Sequence, residues 1–171
     1  MPADGDLDRP VLGYIQGDKF SLRIDAGNSA SHVADFDQEV ERLGLPKEAM
    51  TLITHWHWDH TYGIHAVDTP VLANKKTNAQ LGVMAEWKWT EEAMQERLET
   101  GEECAICDQY LRVEYDNPGS QIIVKQADLE FEGELNIDLG NLEVKVFPVV
   151  NPHSEDGVVI YIPSEKVAFI G

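Results

Sequence analysis

The sequence predicts an α/β fold whose first part alternates strands with helices and whose last part is mainly β. Three observations carry this. Residues 11–54 read as strand, strand, helix and strand; residues 85–115 lose all β pattern; and from Gln121 onward short apolar strands alternate with turns. With 171 residues the chain can build one domain with a sizeable core but not two ordinary ones, so residues 1–171 are read as a single domain.

The elements follow in order. "VLGYIQGDKFSLRIDAG" gives two strands joined by a turn at Gln16–Asp18, the second ending at Asp25 and Gly27. "SASHVADFDQEVERLGL" is helical: Val33, Phe36, Val40 and Leu43 recur at helical spacing, Ser29 or Ser31 can cap the start, and Gly44 can end it. "AMTLIT" is a short buried strand, and "TPVLANKKTNAQLGVM" adds a strand and a helix. Residues 85–115, with two tryptophans and many glutamates, predict one or two helices inserted over the sheet. "QIIVKQ", "LEFEG", "ELNIDLG", "LEVKVFPVV", "GVVIYIP" and "KVAFIG" then predict strands separated by Gly, Asn, Pro and Asp turns.

Composition narrows the function. Apolar residues make up 43%, ordinary for a globular protein, while 31 acidic against 13 basic residues give a formal charge of −18. Such a field repels phosphate backbones and attracts cations, so no nucleic-acid partner is expected. The start, "MPADGDLDRP", has neither the basic nor the apolar region of a secretory signal, and no apolar run approaches a membrane span. A cytoplasmic protein without a membrane partner is the expectation. Cys104 and Cys107 form a C-x-x-C, but no further pair of ligands flanks them, so they read as two half-buried residues of a helix.

The densest chemistry lies in "THWHWDHTYG", Thr54–Gly63, which holds three of the chain's six histidines. His55 and His57 alternate as the chain leaves a buried strand, so they share one side while Trp56 and Trp58 take the other and pack behind. Two imidazoles on one side suit zinc. If a helix starts here, Asp59 and His60 point to a neighbouring position, with room for a second metal. The plainer alternative is a polar loop that merely packs. Its place after a buried strand favours ligands, because ligand-bearing loops of open α/β sheets sit at the carboxyl ends of strands. His65 is expected to turn away from the metals, and His32 is read as a helix-start residue. Trp87 and Trp89 read as packing, with a lid over the pocket as the alternative.

H-x-H-x-D-H after a buried strand resembles the signature of the metallo-β-lactamase superfamily, complete here as His55, His57, Asp59 and His60 with Gly63 close behind. Asp25 in "RIDAGNS" is similar to the family's first motif, an aspartate at a strand end that supports the metal loop. "NPHSEDGVVIYIPSEKVAFIG" resembles the stretch that supplies the next histidine, His153, and then a hairpin. The resemblance spans roughly residues 11–171, with 85–115 as a less typical helical insert.

That resemblance implies an αββα sandwich of two similar halves, of which this chain holds the first and the start of the second. It implies two zinc ions, the first held by His55, His57 and His153, the second by Asp59 and His60, with Asp25 hydrogen-bonding the ligand loop. The family's remaining ligands are an acidic residue just after the "FIG" strand and a later histidine. They have no position here, because Gly171 is the last residue. The expectation is a truncated chain that binds one metal strongly and a second weakly or not at all, or one whose Gly171 carboxylate lies near the metal pocket.

The implied activity is hydrolysis by metal-bound hydroxide, with Asp59 as a catalytic residue that orients it. Charge argues against a nuclease, and the cytoplasmic reading against an exported antibiotic-degrading lactamase. His57 stands where the family's oxygen-reducing branch carries Glu, which disfavours redox chemistry. A small-molecule ester, thioester, lactone or lactam is the expected substrate. The competing reading is a catalytically incomplete metal-binding remnant that needs its missing C-terminal part or a partner chain. An open sheet edge would invite pairing with a second copy.

Overall fold

A computed structural model describes residues 3–116 and 121–171. Strands β1 (Gly13–Gln16) and β2 (Ser21–Ile24) form the expected hairpin. Helix α1 (Ala30–Arg42) then crosses over to β3 (Met50–Leu52), which lies parallel to β2. Ser29 caps α1 by accepting the His32 N–H at 3.1 Å; of the four spaced apolar residues Val33, Phe36 and Val40 are buried, while Leu43 is 53% exposed at the helix end.

After β3 the chain makes the short helix α2 (Trp58–Thr61) and a 3-10 turn (Tyr62–Ala66) before β4 (Val71–Asn74), which is parallel to β3. Helix α3 (Lys75–Met84) follows, and the insert resolves into two helices, α4 (Glu91–Thr100) and α5 (Ala105–Glu114). Strand β5 (Leu129–Phe131) completes a five-stranded sheet in the order β1-β2-β3-β4-β5. Strands β6 (Leu135–Asp138), β7 (Glu143–Pro148), β8 (Val158–Ile162) and β9 (Val167–Phe169) form a second, antiparallel sheet in chain order.

The sheets stack through one apolar layer. Ile15, Leu22, Ile24, Leu52 and Phe131 of the first meet Val144, Val146, Val158, Ile160 and Ile162 of the second. Burying each such side chain contributes about 1.5–3 kcal/mol. Period-two alternation makes this possible: Val144 and Val146 point inward while Glu143 and Lys145 face water. The opposite face of the first sheet carries helices, with Leu12, Phe36 and Val40 packing under α1 and Leu81 of α3 packing on Val71 and Ala73. This is the helix–sheet–sheet arrangement of the predicted sandwich.

One predicted strand is absent. Residues 122–127, in "QIIVKQ" and its sequel, pair with no strand. Ile122 is buried among Trp58, Tyr62 and Tyr115, and Ile123 is exposed, so the apolar alternation is real. The backbone bonds instead to α3: Ala127 N donates to Asn78 Oδ1 at 2.8 Å. Tertiary packing on the insert took the segment away from the sheet. Among the described residues, no helix is long and apolar enough to cross a membrane.

Candidate metal centre

The site begins where β2 and β3 end side by side. Asp25 follows β2 with a left-handed backbone (φ 62°), is buried, and donates its N–H to Leu52 O at 2.9 Å. This conformation aims the carboxylate at the next strand's loop. Asp25 Oδ1 accepts the Thr54 N–H at 2.8 Å, the Thr54 hydroxyl lies 2.9 Å from both carboxylate oxygens, and Oδ2 accepts from His60 Nδ1 at 2.8 Å. The Ala26 N–H donates to His60 O, and the Gly63 N–H to Gly27 O, each at 2.9 Å. Asp25 thus ties the histidine loop to β2 from behind.

Thr54 decides how His55 is presented. Its single hydroxyl proton goes to Asp25, so its oxygen accepts the Nδ1–H of His55, 3.0 Å away. That leaves the His55 Nε2 lone pair bare and facing the open side, 3.1 Å from His153 Nε2. His57 completes the group: one ring nitrogen from each of His55, His57 and His153 lies within 4.8 Å of the others. His153 rides on the loop before β8. Asn151 Oδ1 accepts the N–H of His153 and of Ser154, each at 2.9 Å, and the buried Asp156 carboxylate takes the Thr77 hydroxyl at 2.6 Å and the Ser154 hydroxyl.

The electrostatics fit a cation. Burial, and then the charge on His60, push His55 down to about 4; burial, and then His153, lower His57. Neutral imidazole is the form that ligates. His60 behaves oppositely. Burial opposes its charge, but Asp25 and Asp59 outweigh burial and hold it at about 10. Its Nε2 lies 3.2 Å from Asp59 Oδ2, and this contact holds the Asp59 carboxyl low against burial. Asp59 and His60 therefore pair with each other, while the His60 ring also stands beside His55, 4.3 Å between ring centroids. A metal entering between Asp59 and His60 must displace the Nε2 proton.

Two hollows flank His57 and His153. One, of about 580 Å³, runs past Trp56, Lys76 and Asn151. The other, of about 460 Å³, is lined by Trp56, Trp58, Asp59, Tyr62, Met84 and Cys104 among others. Trp58 is buried and packs behind the loop as expected; Trp56 packs against the same cluster but is only half-buried, and it also lines both hollows, its ring perpendicular to His57 at 4.5 Å. Trp87 and Trp89 stack under Arg97, 4.7 Å from each ring, and are packing residues. His65 donates to Tyr62 O and His32 lies buried at the start of α1, both outside the site as predicted. Gly171 lies against His55: a side-chain carbon there would fall 2.7 Å from its Nδ1.

The cysteines differ from expectation. They are not two half-buried helix residues: Cys104 is exposed, caps α5, and is joined to Cys107 in a disulfide. Thr54, Asn151 and Asp156, which position the histidines, carried no signal in the sequence beyond their nearness to His55 and His153.

The Metallo-beta-lactamase superfamily model matches residues 12–171. The chain belongs to the metallo-β-lactamase superfamily. Solved structures agree on the fold. A metallo-beta-lactamase from Pontibacter korlensis superposes with a TM-score of 0.61 at 19% identity, over 92% of this chain and 57% of that one. The B3 metallo-beta-lactamase BLEG-1 gives 0.59 at 23% identity, over 92% and 64%. One from Cronobacter sakazakii, carrying substitutions in a HARLDQ motif, gives 0.61 at 14%, over 92% and 54%. The chain therefore spans little more than half the length of these superfamily members. No curated protein matches it. The superfamily comprises metal-dependent hydrolases, and His55, His57 and His153 form a group able to hold the metal.

Proposed function

We propose that this chain carries the metal centre of a zinc-dependent hydrolase acting on a small-molecule ester, thioester, lactone or lactam. The observation that carries the reading is the convergence of His55, His57 and His153, with the His55 tautomer set by Thr54 and Asp25. Three imidazoles with a remaining open position are the donor set of a catalytic zinc. When bound there, zinc supplies a hydroxide nucleophile at neutral pH and polarises an acyl oxygen.

The chain's own residues do the rest. Asp59, paired with His60 and lining the 460 Å³ hollow, would accept a proton or hydrogen bond from the attacking water and orient it. Trp56, Trp58, Tyr62 and Met84 offer an apolar wall to the acyl portion. Asp8, Glu102 and Glu103 at the same hollow disfavour an anionic substrate. Asp59 and His60 lack further protein ligands among the described residues, so one tightly held ion per chain is expected, in the cytoplasmic setting the sequence suggests.

Zinc titration of the oxidised chain, followed by hydrolysis of a panel of thioester, lactone and nitrocefin-type lactam substrates, tests this. One tight equivalent, lost in His55→Ala, His57→Ala and His153→Ala, with turnover of at least one substrate class, is expected. Two tight equivalents would refute the single-site reading. Tight zinc without turnover would favour a metal-binding remnant completed by other residues.

A further inference from the structure

The turn between α4 and α5 holds a second ligand cluster, which lines the 460 Å³ hollow together with His57 and His153. A carboxylate oxygen of Glu103 and the sulfur atoms of Cys104 and Cys107 lie within 4.8 Å of one another. The geometry around them is fixed by the backbone. Gly101 ends α4 in the left-handed conformation, the Glu103 N–H donates to Arg97 O at 3.1 Å, and the Cys104 N–H donates to Glu103 Oε1 at 3.0 Å. Cys104 then caps the ten-residue helix α5, its sulfur accepting the Cys107 N–H at 3.1 Å.

This is a good place for thiolates and for a cation. A thiolate at a helix N-terminus is stabilised by the N–H groups that point at it. Cys104 is exposed and Cys107 half-buried, so small thiols reach the pair. Glu103 is half-buried, and Asp108 on the next turn brings a second carboxylate, its Oδ2 held by Arg112 Nε at 2.9 Å and its Oδ1 buried with no hydrogen-bond partner, so acidic groups lie beside the sulfurs. The chain's charge of −18 adds to their field.

We propose that Glu103, Cys104 and Cys107 form a redox-gated site for a thiophilic divalent cation such as zinc, separate from the histidine centre. In the state described here the cysteines are joined and cannot ligate. Reduction by two equivalents of a thiol of the glutathione class, or one dithiol, breaks the Cys104–Cys107 bond. The reductant's sulfurs are oxidised to a disulfide, and two protons and two electrons pass to the cysteines. Cation binding then releases the two thiol protons and places two thiolates and one carboxylate on the ion, leaving a tetrahedral position for water. Oxidation by a disulfide takes back two electrons, rejoins the sulfurs and discharges the ion into the hollow that the histidines share.

Cobalt(II) or cadmium(II) titration of the full chain tests this, read by thiolate-to-metal charge-transfer absorption, with and without prior reduction and removal of reductant. The reduced chain should bind one more equivalent than the oxidised chain, with the charge-transfer band. Cys104→Ser with Cys107→Ser should abolish the band; serine preserves the helix cap, so this variant is expected to fold. Glu103→Gln should keep the band but weaken binding at least tenfold. A chain with His55, His57 and His153 all replaced by Ala should retain the band, which separates failure of this site from failure of the hydrolase reading. Absence of the band in the reduced chain, or its loss in the triple-histidine variant, would overturn the proposal.

Discussion

Thr54 is the residue through which Asp25 acts on His55, because one hydroxyl touches both. Thr54→Val keeps the shape and the backbone N–H to Asp25 but removes the acceptor that fixes the His55 tautomer. Loss of such a supporting contact typically weakens metal binding about 10–100-fold, and competition against a chelator will show a drop of that size while the fold persists. A second residue shapes the pH response. His32 is fully buried, with Nε2 unpartnered, and burial, then Arg9, push it down to about 4. Its native pKa lies below the unfolded value of 6.5, so the unfolded chain binds more protons between those values. The stability His32 contributes is therefore complete above pH 6.5 and is lost as pH falls toward 4, with a slope of up to about 1.4 kcal/mol per pH unit. Urea unfolding at pH 7 and pH 5 should show this loss, and His32→Gln should flatten it. At this scale part of the candidate site was legible: the dense H-x-H-x-D-H stretch singled out His55 and His57, and the family resemblance added His153, which the structure brings beside them. Thr54 and Asn151 were not, since a hydroxyl or amide that positions a ligand looks like any loop residue until its partner is known.

Elements were legible in proportion to their periodicity. α1 announced itself by Val33, Phe36 and Val40 and by its serine cap, and β7 and β8 by alternation. "QIIVKQ" had the same alternation yet became an extended segment, because Ile122 found its burial among the aromatics of the insert and Asn78 took its backbone. Periodicity reports which side is buried and says nothing of which neighbour supplies the hydrogen bonds. Gly63 illustrates the opposite case, a constraint on packing that pattern does not show. In the 3-10 turn it touches the loop after β2, where an added Cβ would sit 2.1 Å from Ala26 O. Backbone cannot yield as a side chain can, so Gly63→Ala should separate the turn from the Asp25 loop. A cost of about 1–3 kcal/mol or more is expected, measured by denaturant midpoint, together with weaker metal binding because His60 and Asp25 are drawn apart.

For the whole molecule, the strand and helix pattern gave an α/β chain with a β-rich end and the family resemblance supplied the two-sheet sandwich, while the pairing of sheet edges and the seat of the insert were not legible. The histidine centre spans both sheets, His55 and His57 leaving the first and His153 preceding β8 of the second. A metal held there stabilises only the assembled state. At a zinc concentration about 100 times its Kd, the unfolding free energy should rise by about 2.7 kcal/mol, and a chelator should reverse the gain in a thermal melt. His55→Ala should show no gain. The same span sets an order of events during synthesis. His55 and His153 are 98 residues apart in the chain, which at about 5–20 residues per second separates their emergence from the ribosome by roughly 5–20 s. For that interval the nascent chain offers His55 and His57 without His153, so the three-histidine group of the folded chain has to wait until the loop before β8 has been translated and the second sheet has closed over the first.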